Sequence, residues 1–415
     1  MAMQRIHYRS QVLWISFLVF FFLFSIGSTQ SPAAEKTVKV GFVHDLTGPY
    51  ATYGVPMRDA MTWALEKLNK KGFTVGGQKY KLEVIHYDGA SKPEVEGPGL
   101  LKKALYSDKV PLLFLGGSPI TRVAMTPVDQ AKTPAIIILA GMLGATEKSK
   151  YLFRIRPDAA QCAPPMAYYF TKNLGLKKLA VIGADTDFAR DSFKMWKQIT
   201  EAEGGRIVSE NWYMPGQVQD FYPILSKVKD AGAQALYVAG STQQNALVFK
   251  QAFEVGLKIP MGGYSGITPE QARDLIGDKY DQVMTYVYDS RGIDPGLMPS
   301  QKAQEWTQTF RKRYGYYPAD LTMWAWDAPF MVAHVMEKAG TVTDREKIRN
   351  ALEKQTLLDS FITPYVDLGG GRIFDQNRQA FSLAVVTKWK DKTWIGEKYY
   401  SVVGGKITEV QAKSE

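Results

Sequence analysis

Residues capable of covalent chemistry are sparse and poorly spaced in this chain. Gly263-Tyr264-Ser265-Gly266-Ile267 has the outline of a nucleophile elbow but lacks the final Gly, and no downstream Asp-then-His pair stands out. No P-loop occurs, and no G-x-G-x-x-G follows Val43, so nucleotide chemistry has no foothold. His7, His44, His86 and His334 show no metal-ligand spacing, and Cys162 stands alone, so no intrachain disulfide, metal or cofactor is expected. The chemistry that remains is non-covalent: hydroxyls, backbone N–H groups and aromatic rings placed where apolar runs end.

The fullest such group is Lys36–Gly54, KTVKVGFVHDLTGPYATYG. An apolar strand, Val38–Val43, enters a turn carrying Asp45, Thr47, Gly48, Pro49 and Tyr53, and a helix follows. Gly tolerates positive φ and Pro fixes φ, so Gly48-Pro49 makes the turn tight. Turns at the carboxyl ends of parallel strands are where open α/β sheets bind ligands. The same grammar recurs. Val110–Leu115 ends in Gly116-Gly117-Ser118-Pro119, and Ala135–Leu139 ends in Ala140-Gly141-Met142-Leu143-Gly144. These continuous apolar runs are what buried parallel strands require.

A second series begins after Leu152–Arg156, with strands at Lys178–Gly183, Arg206–Tyr213, Ala235–Ala239 and Pro260–Gly263 between helices. The chain then returns through long helices at Pro299–Tyr314 and Leu321–Ala339. MWAWDAPFMVAHVM in the latter reads as a core helix of the first unit, with Trp324, Trp326 and Phe330 as packing residues. Ser382–Trp389 and Lys392–Glu397 read as a terminal hairpin, and a polar, frayed tail is expected from Lys406. With 415 residues, two α/β lobes of doubly wound type are expected.

At the amino terminus, Arg5 and Arg9 precede an uncharged run, Val12–Ile26, and then Ser31-Pro32-Ala33-Ala34. That run is too short for the ~20 apolar residues of a bilayer span, and basic–apolar–small is the order of an export signal. Cleavage is expected near Ala34, with no Cys there to take a lipid. The net charge of +10 becomes +8 without residues 1–34, which hold two arginines and no acid. The lysines are scattered, which suits a basic soluble surface and not a nucleic-acid partner.

Five segments in order carry a family resemblance: LTGPYATYG, LFLGGSPIT, FRIRPDAAQ (Phe153–Gln161), EVGLKIP (Glu254–Pro260) and GGRIFDQN (Gly370–Asn377). With Asn69-Lys70-Lys71-Gly72 closing the first helix, they resemble the branched-chain amino-acid-type periplasmic binding proteins, the solute receptors of ABC importers. The resemblance runs from about Lys36 to Trp394. It implies the type I periplasmic-binding-protein fold, two parallel-sheet lobes joined by three crossing strands, near Phe153–Pro157, Thr285–Asp289 and Ser360–Thr363. The expected divisions are 1–34 signal peptide, 35–156 plus 289–361 lobe 1, 157–288 plus 362–402 lobe 2, and 403–415 polar tail.

The resemblance also implies a soluble, monomeric periplasmic receptor, not an enzyme, that closes on a small ligand and delivers it to a membrane permease. A ligand-sensing protein feeding a signalling receptor and a cleft hydrolase are the alternatives. Ser118, Gly117 and Gly141 match the positions that hold a ligand carboxylate in the family. The ammonium side departs from the pattern. Leu143 stands where a Thr is usual, Tyr264 where a carboxylate is usual, and Phe188 and Ser241 where Tyr residues are usual. Asp158 remains as the candidate counter-charge. A buried ammonium without a carboxylate is costly, so an acid lacking an α-amino group is expected, against a lining of Tyr53, Leu143, Phe188 and Tyr264.

Overall fold

The protein, seen in a computed structural model, is described over residues 35–263, 269–291, 295–297, 300–318 and 321–411. The first strand, β1 (Lys36–His44), is exposed at its start and then buried continuously from Val40 to His44. Covered on both faces, it pairs parallel with β3 (Gln78–Asp88) and β4 (Leu113–Gly116). The helix α1 (Ala51–Lys71) lies between β1 and the short β2 (Phe73–Val75). Its first turn touches the preceding loop: a Cβ on Gly54 would sit 1.7 Å from the Asp45 carbonyl oxygen, so only Gly fits.

The first lobe continues through α2 (Pro93–Lys102), α3 (Ser118–Gln130), β5 (Ala135–Ile137), α4 (Ala145–Lys148) and β6 (Leu152–Arg154). Its six strands run in the order β2-β3-β1-β4-β5-β6, parallel except for β2. The second lobe comprises α5 (Ala159–Tyr168), β7 (Lys178–Ala184), α6 (Asp187–Ala202), β8 (Arg206–Tyr213), α7 (Tyr222–Asp230), β9 (Ala235–Ala239), α8 (Thr242–Glu254) and β10 (Met261–Gly263). It continues with α9 (Pro269–Ile276), α10 (Tyr280–Met284) and β11 (Val287–Arg291). The chain then returns to the first lobe with α11 (Gln301–Tyr314), α12 (Leu321–Ala339) and α13 (Arg345–Leu352). It ends on the second sheet with β12 (Ala384–Lys390), β13 (Thr393–Val403) and β14 (Lys406–Val410).

The expected two-lobe architecture is present, with helices on both faces of each sheet. Each sheet is mixed at an edge. The second has eight strands ordered β14-β13-β12-β11-β10-β9-β7-β8, in which β12 to β14 run antiparallel. The tail expected to fray from Lys406 is instead the outermost strand, reversed by Gly404 and Gly405 at φ 57° and 78°. The helix α12 is buried along most of its length, as its sequence predicts, and Trp326 packs against Trp63 and Trp306 at ring separations of 4.5 and 5.8 Å.

The lobe boundaries differ from the sequence expectation. Val287–Arg291 pairs with β10, so residues 289–291 belong to the second sheet. Ile362, Tyr365, Ile373, Phe374 and Ala380 are buried in the first core, so the segment through residue 380 stays with lobe 1. The physical reason is Asp327. Its fully buried carboxylate accepts the Ile362 N–H at 2.7 Å and the Thr363 N–H at 3.0 Å, pinning this segment to α12. Burial raises that carboxyl to a pKa of about 7, against the pull of those donors. The first crossing falls at residues 155–158, close to its expected place. The second lies between β11 and α11, partly outside the described residues, and the third at residues 381–383, after the segment that Asp327 holds.

The first and third connections are tied together. The Arg154 N–H donates to the Arg378 carbonyl at 3.0 Å, and the Ala380 N–H donates to the Arg154 carbonyl at 2.8 Å. The isolated histidines are structural in their contacts. Nε2 of His44 meets Nδ1 of His86 at 2.9 Å, and Nδ1 of His334 meets the Gln355 amide oxygen at 3.1 Å. Burial lowers His44 to about 3 and His86 to about 4, so both rings are neutral at pH 7.

Asp327→Ala leaves two buried N–H groups without their acceptor. At about 1–3 kcal/mol for each orphaned group, the expected loss is about 2–6 kcal/mol. Urea unfolding followed by tryptophan fluorescence checks it; a loss below about 1 kcal/mol would show that the 360–380 segment is held by packing alone.

Candidate functional site

Both sheets present their topological switch points to one gap. In the first sheet the strand order reverses about β1 and β4, and in the second about β7 and β9. The loops that leave these four strands are residues 45–50, 117, 185–186 and 240–241, and all four contribute to one cavity of about 570 Å³. This is where a doubly wound sheet leaves room for a ligand, because crossover helices on opposite faces separate there. The volume suits a small molecule.

Three helices begin at the cavity wall. Gly117 precedes α3, whose first residue is Ser118. Thr186 caps α6 by accepting the Ala189 N–H at 3.3 Å, and Ser241 caps α8 by accepting the Gln244 N–H at 3.3 Å. Helix N-termini carry unpaired N–H groups and partial positive charge, so their convergence favours an anion. Aromatic surface comes from Tyr50 and Tyr53 on the first lobe and Phe188 on the second.

Of the residues expected at the site, Tyr53, Gly117, Ser118, Gly141, Phe188 and Ser241 line this one cavity, contributed by both lobes. Two others lie elsewhere. The Asp158 carboxylate ion-pairs with the fully buried Arg154 at 3.0 Å and accepts the Gln161 N–H at 3.2 Å as the cap of α5. It is therefore committed to the hinge and is not a counter-charge for a ligand. Leu143 does not line the cavity; its N–H donates to Asp191 Oδ2 of α6 at 2.8 Å and so joins the lobes. Tyr264 lies outside the described residues.

The lobes are in contact around the cavity. Arg122 of α3 reaches Asp187 at the start of α6 and also Glu94 of α2, the latter at 3.1 Å. Phe188 comes so near Gly141 that a Cβ there would sit 2.5 Å from the ring. Four carboxylates lie on the wall: Asp45, Glu94, Asp185 and Asp187. Glu94 and Asp187 meet Arg122, and Asp185 meets Arg190 at 2.8 Å. Asp45 accepts the Ser91 N–H at 2.9 Å, and its pKa is raised by burial.

Sequence reading missed Arg156, which lines the cavity at the hinge and is only 2% exposed. It sits inside FRIRPDAAQ, which was legible as a family marker; a second arginine two residues after Arg154 was the available signal. Gln244, Arg122 and Asp187 were also not anticipated, since their role depends on which lobe faces which.

The comparisons agree with this geometry. Residues 37–393 match the family model described as periplasmic binding protein. The chain is 25% identical over 367 residues to the leucine-, isoleucine-, valine-, threonine- and alanine-binding protein of Pseudomonas aeruginosa, covering 87% of this chain and 92% of that one. It is similar, with a TM-score of 0.75 and 25% identity, to a solute binding protein of an ABC transporter from Rhodopseudomonas palustris BisB5 in complex with 3,4-dihydroxybenzoic acid; 89% of this chain and 98% of that one are covered. The isoleucine complex of LivJ from Streptococcus pneumoniae shares the fold at a TM-score of 0.74 and 21% identity, over 90% of this chain and all of that one.

A methyl group at Gly141 would collide with Phe188 from the opposite lobe and hold the cleft ajar. Gly141→Ala is expected to weaken ligand binding about tenfold, as small core insertions cost about 1–3 kcal/mol, while the melting temperature without ligand stays near wild type. Titration calorimetry beside a melting curve checks this; unchanged affinity would show that the ring simply moves aside.

Proposed function

This chain belongs to the periplasmic binding protein family, and we propose that it captures a small aromatic or aliphatic acid and hands it to an ABC transporter permease. The observation that carries the reading is the convergence of three helix N-termini, from both lobes, on one cavity walled by Tyr53 and Phe188. An anion accepts several short hydrogen bonds from such N–H groups and from hydroxyls such as that of Ser118. A ring or alkyl chain gains by covering the aromatic wall.

Two relatives frame the choice of ligand: one is named for branched-chain and small amino acids, the other holds 3,4-dihydroxybenzoic acid. The acid reading is favoured because an α-ammonium needs a carboxylate. Asp158 is turned to Arg154, Glu94 and Asp187 to Arg122, and Asp185 to Arg190, while Asp45 accepts the Ser91 N–H and is pushed toward its neutral form by burial. Ligand binding shifts the lobes toward closure only by its greater affinity for the closed form, which the Gly141–Phe188 approach and the Arg122–Asp187 pair stabilise. The proposed site of action is the periplasm, reached by removal of residues 1–34, with the mature chain a soluble monomer.

A thermal-shift screen over benzoates, aliphatic acids, dicarboxylates and amino acids tests the ligand class. A ligand at 100 times its Kd adds about 2.7 kcal/mol, enough to raise the melting temperature by several degrees. Benzoate-type acids are expected to do so and leucine is not; a shift with leucine alone would refute the acid reading. For export, mass spectrometry of the mature chain should find an amino terminus near Glu35, and a retained Met1 would refute cleavage.

A further inference from the structure

Of the carboxylates on the cavity wall, Glu94, Asp185 and Asp187 meet arginines. The exception is Asp45, in the turn after β1. Its Oδ1 accepts the Ser91 N–H at 2.9 Å and lies so near Gly89 that a Cβ there would sit 2.7 Å away. Its Oδ2 makes no hydrogen bond or ion pair among the described residues and is not sealed from solvent, so it is open to a ligand. The turn that carries it is held on all sides. Asp88 accepts the N–H groups of Leu46 at 2.8 Å and Ala90 at 2.9 Å and the Thr47 hydroxyl at 2.7 Å, while Ser91 Oγ accepts the Tyr50 N–H at 3.0 Å. A side chain supported in this way is in place before a ligand arrives. Burial raises the Asp45 pKa, because one backbone donor does not replace the water its carboxylate has lost.

Resting on the small-acid reading above, we infer that Asp45 reads the far end of the ligand: with the acid group at Gly117 and Ser118, Asp45 accepts a hydrogen bond from a hydroxyl on the opposite side of an aromatic ring. The strand order sets the two groups apart. Gly117 and Ser118 follow β4, Asp45 leans toward the residues that follow β3, and β1 runs between. At about 4.8 Å per strand, the ends of β3 and β4 are roughly 10 Å apart. A benzene ring with a carboxylate and a para hydroxyl, and a hydrogen bond at each end, bridges such a gap. An α-ammonium sits one carbon from its carboxylate and stops short of it. A hydroxyl also supplies Asp45 with a second donor without bringing in a cation that must itself be stripped of water. The ligand class so selected is the para-hydroxylated aromatic acids.

The test is titration calorimetry of the full mature protein with four probes: benzoate, 4-hydroxybenzoate, 4-methoxybenzoate, which keeps the oxygen but cannot donate, and leucine. Wild type is expected to prefer 4-hydroxybenzoate over benzoate by about tenfold, as a hydrogen bond to a charged group allows, and to bind 4-methoxybenzoate no better than benzoate. Asp45→Ala should bring 4-hydroxybenzoate down to the level of benzoate while benzoate itself is spared. Asp45→Asn should retain about a threefold preference, since a neutral acceptor remains. A merely structural role, through the lost Ser91 contact, would weaken both acids alike and leave their ratio unmoved. A wild-type ratio in Asp45→Ala would therefore overturn the assignment, as would a wild type that binds benzoate and 4-hydroxybenzoate equally; in both cases the small-acid reading stands. If Asp45→Ala does not fold, Asp45→Asn carries the test by the same ratio, and an unchanged ratio there overturns it. A wild type that binds no aromatic probe overturns this inference, and tight leucine binding beside that result sinks the small-acid reading with it.

Discussion

Everything in this structure depends on two sheets aiming the carboxyl ends of their central strands at the same gap. Parallel strands can be joined only by crossovers, and crossovers on opposite faces must part where the strand order reverses. Each lobe therefore has one place where loops, and not packed helices, meet solvent. Here those places are the loops after β1 and β4 in one sheet and after β7 and β9 in the other. The hinge makes the two coincide. Arg154 donates its N–H to Arg378 and accepts the Ala380 N–H from a separate pass of the chain, so the lobes are joined by connections that are zipped to each other. Such a joint allows bending but limits sliding, which keeps the two sets of loops opposed.

Much of this was legible in the sequence because it follows from local rules. Continuous apolar runs ending in Gly-rich turns predicted buried parallel strands; the Val110–Leu115 segment overlaps β4 (Leu113–Gly116), and Ala235–Ala239 is β9. The near-continuous apolarity of α12 predicted a core helix. What was not legible depends on which surfaces meet. No periodicity shows that Asp327 holds residues 362 and 363, sixty or more places after the chain has left lobe 2. Asp158 looked available for a ligand because an acid beside a hinge motif has no visible partner in one dimension; in three, Arg154 lies four residues back on the same connection. The tail was read as frayed because its residues are polar. An edge strand needs only a turn and a neighbour, and Gly404-Gly405 with β13 provide both.

The charges on the cavity wall show how binding and closure are linked. Four carboxylates line the cleft, a composition that alone would repel an acid. Three of them are met by arginines, and the fourth, Asp45, accepts the Ser91 N–H and has its pKa raised by burial. Asp185 and Arg190 lie within one lobe, and Arg190 stacks on Trp212 at 3.6 Å, so that pair is present whatever the lobes do. Arg122, in contrast, reaches from the first lobe to Asp187 on the second. Parting the lobes returns Asp187 to solvent and leaves Arg122 with Glu94 alone. The net field in the cavity is therefore most favourable to an anion in the closed arrangement, when the helix N-termini act with the fewest opposing charges. Exposed pairs of this kind contribute little stability, about 0–1 kcal/mol, so the latch biases closure without locking it. A receptor must release what it captures, and a weak bridge between lobes, over a set of fixed helix N-termini, meets both needs.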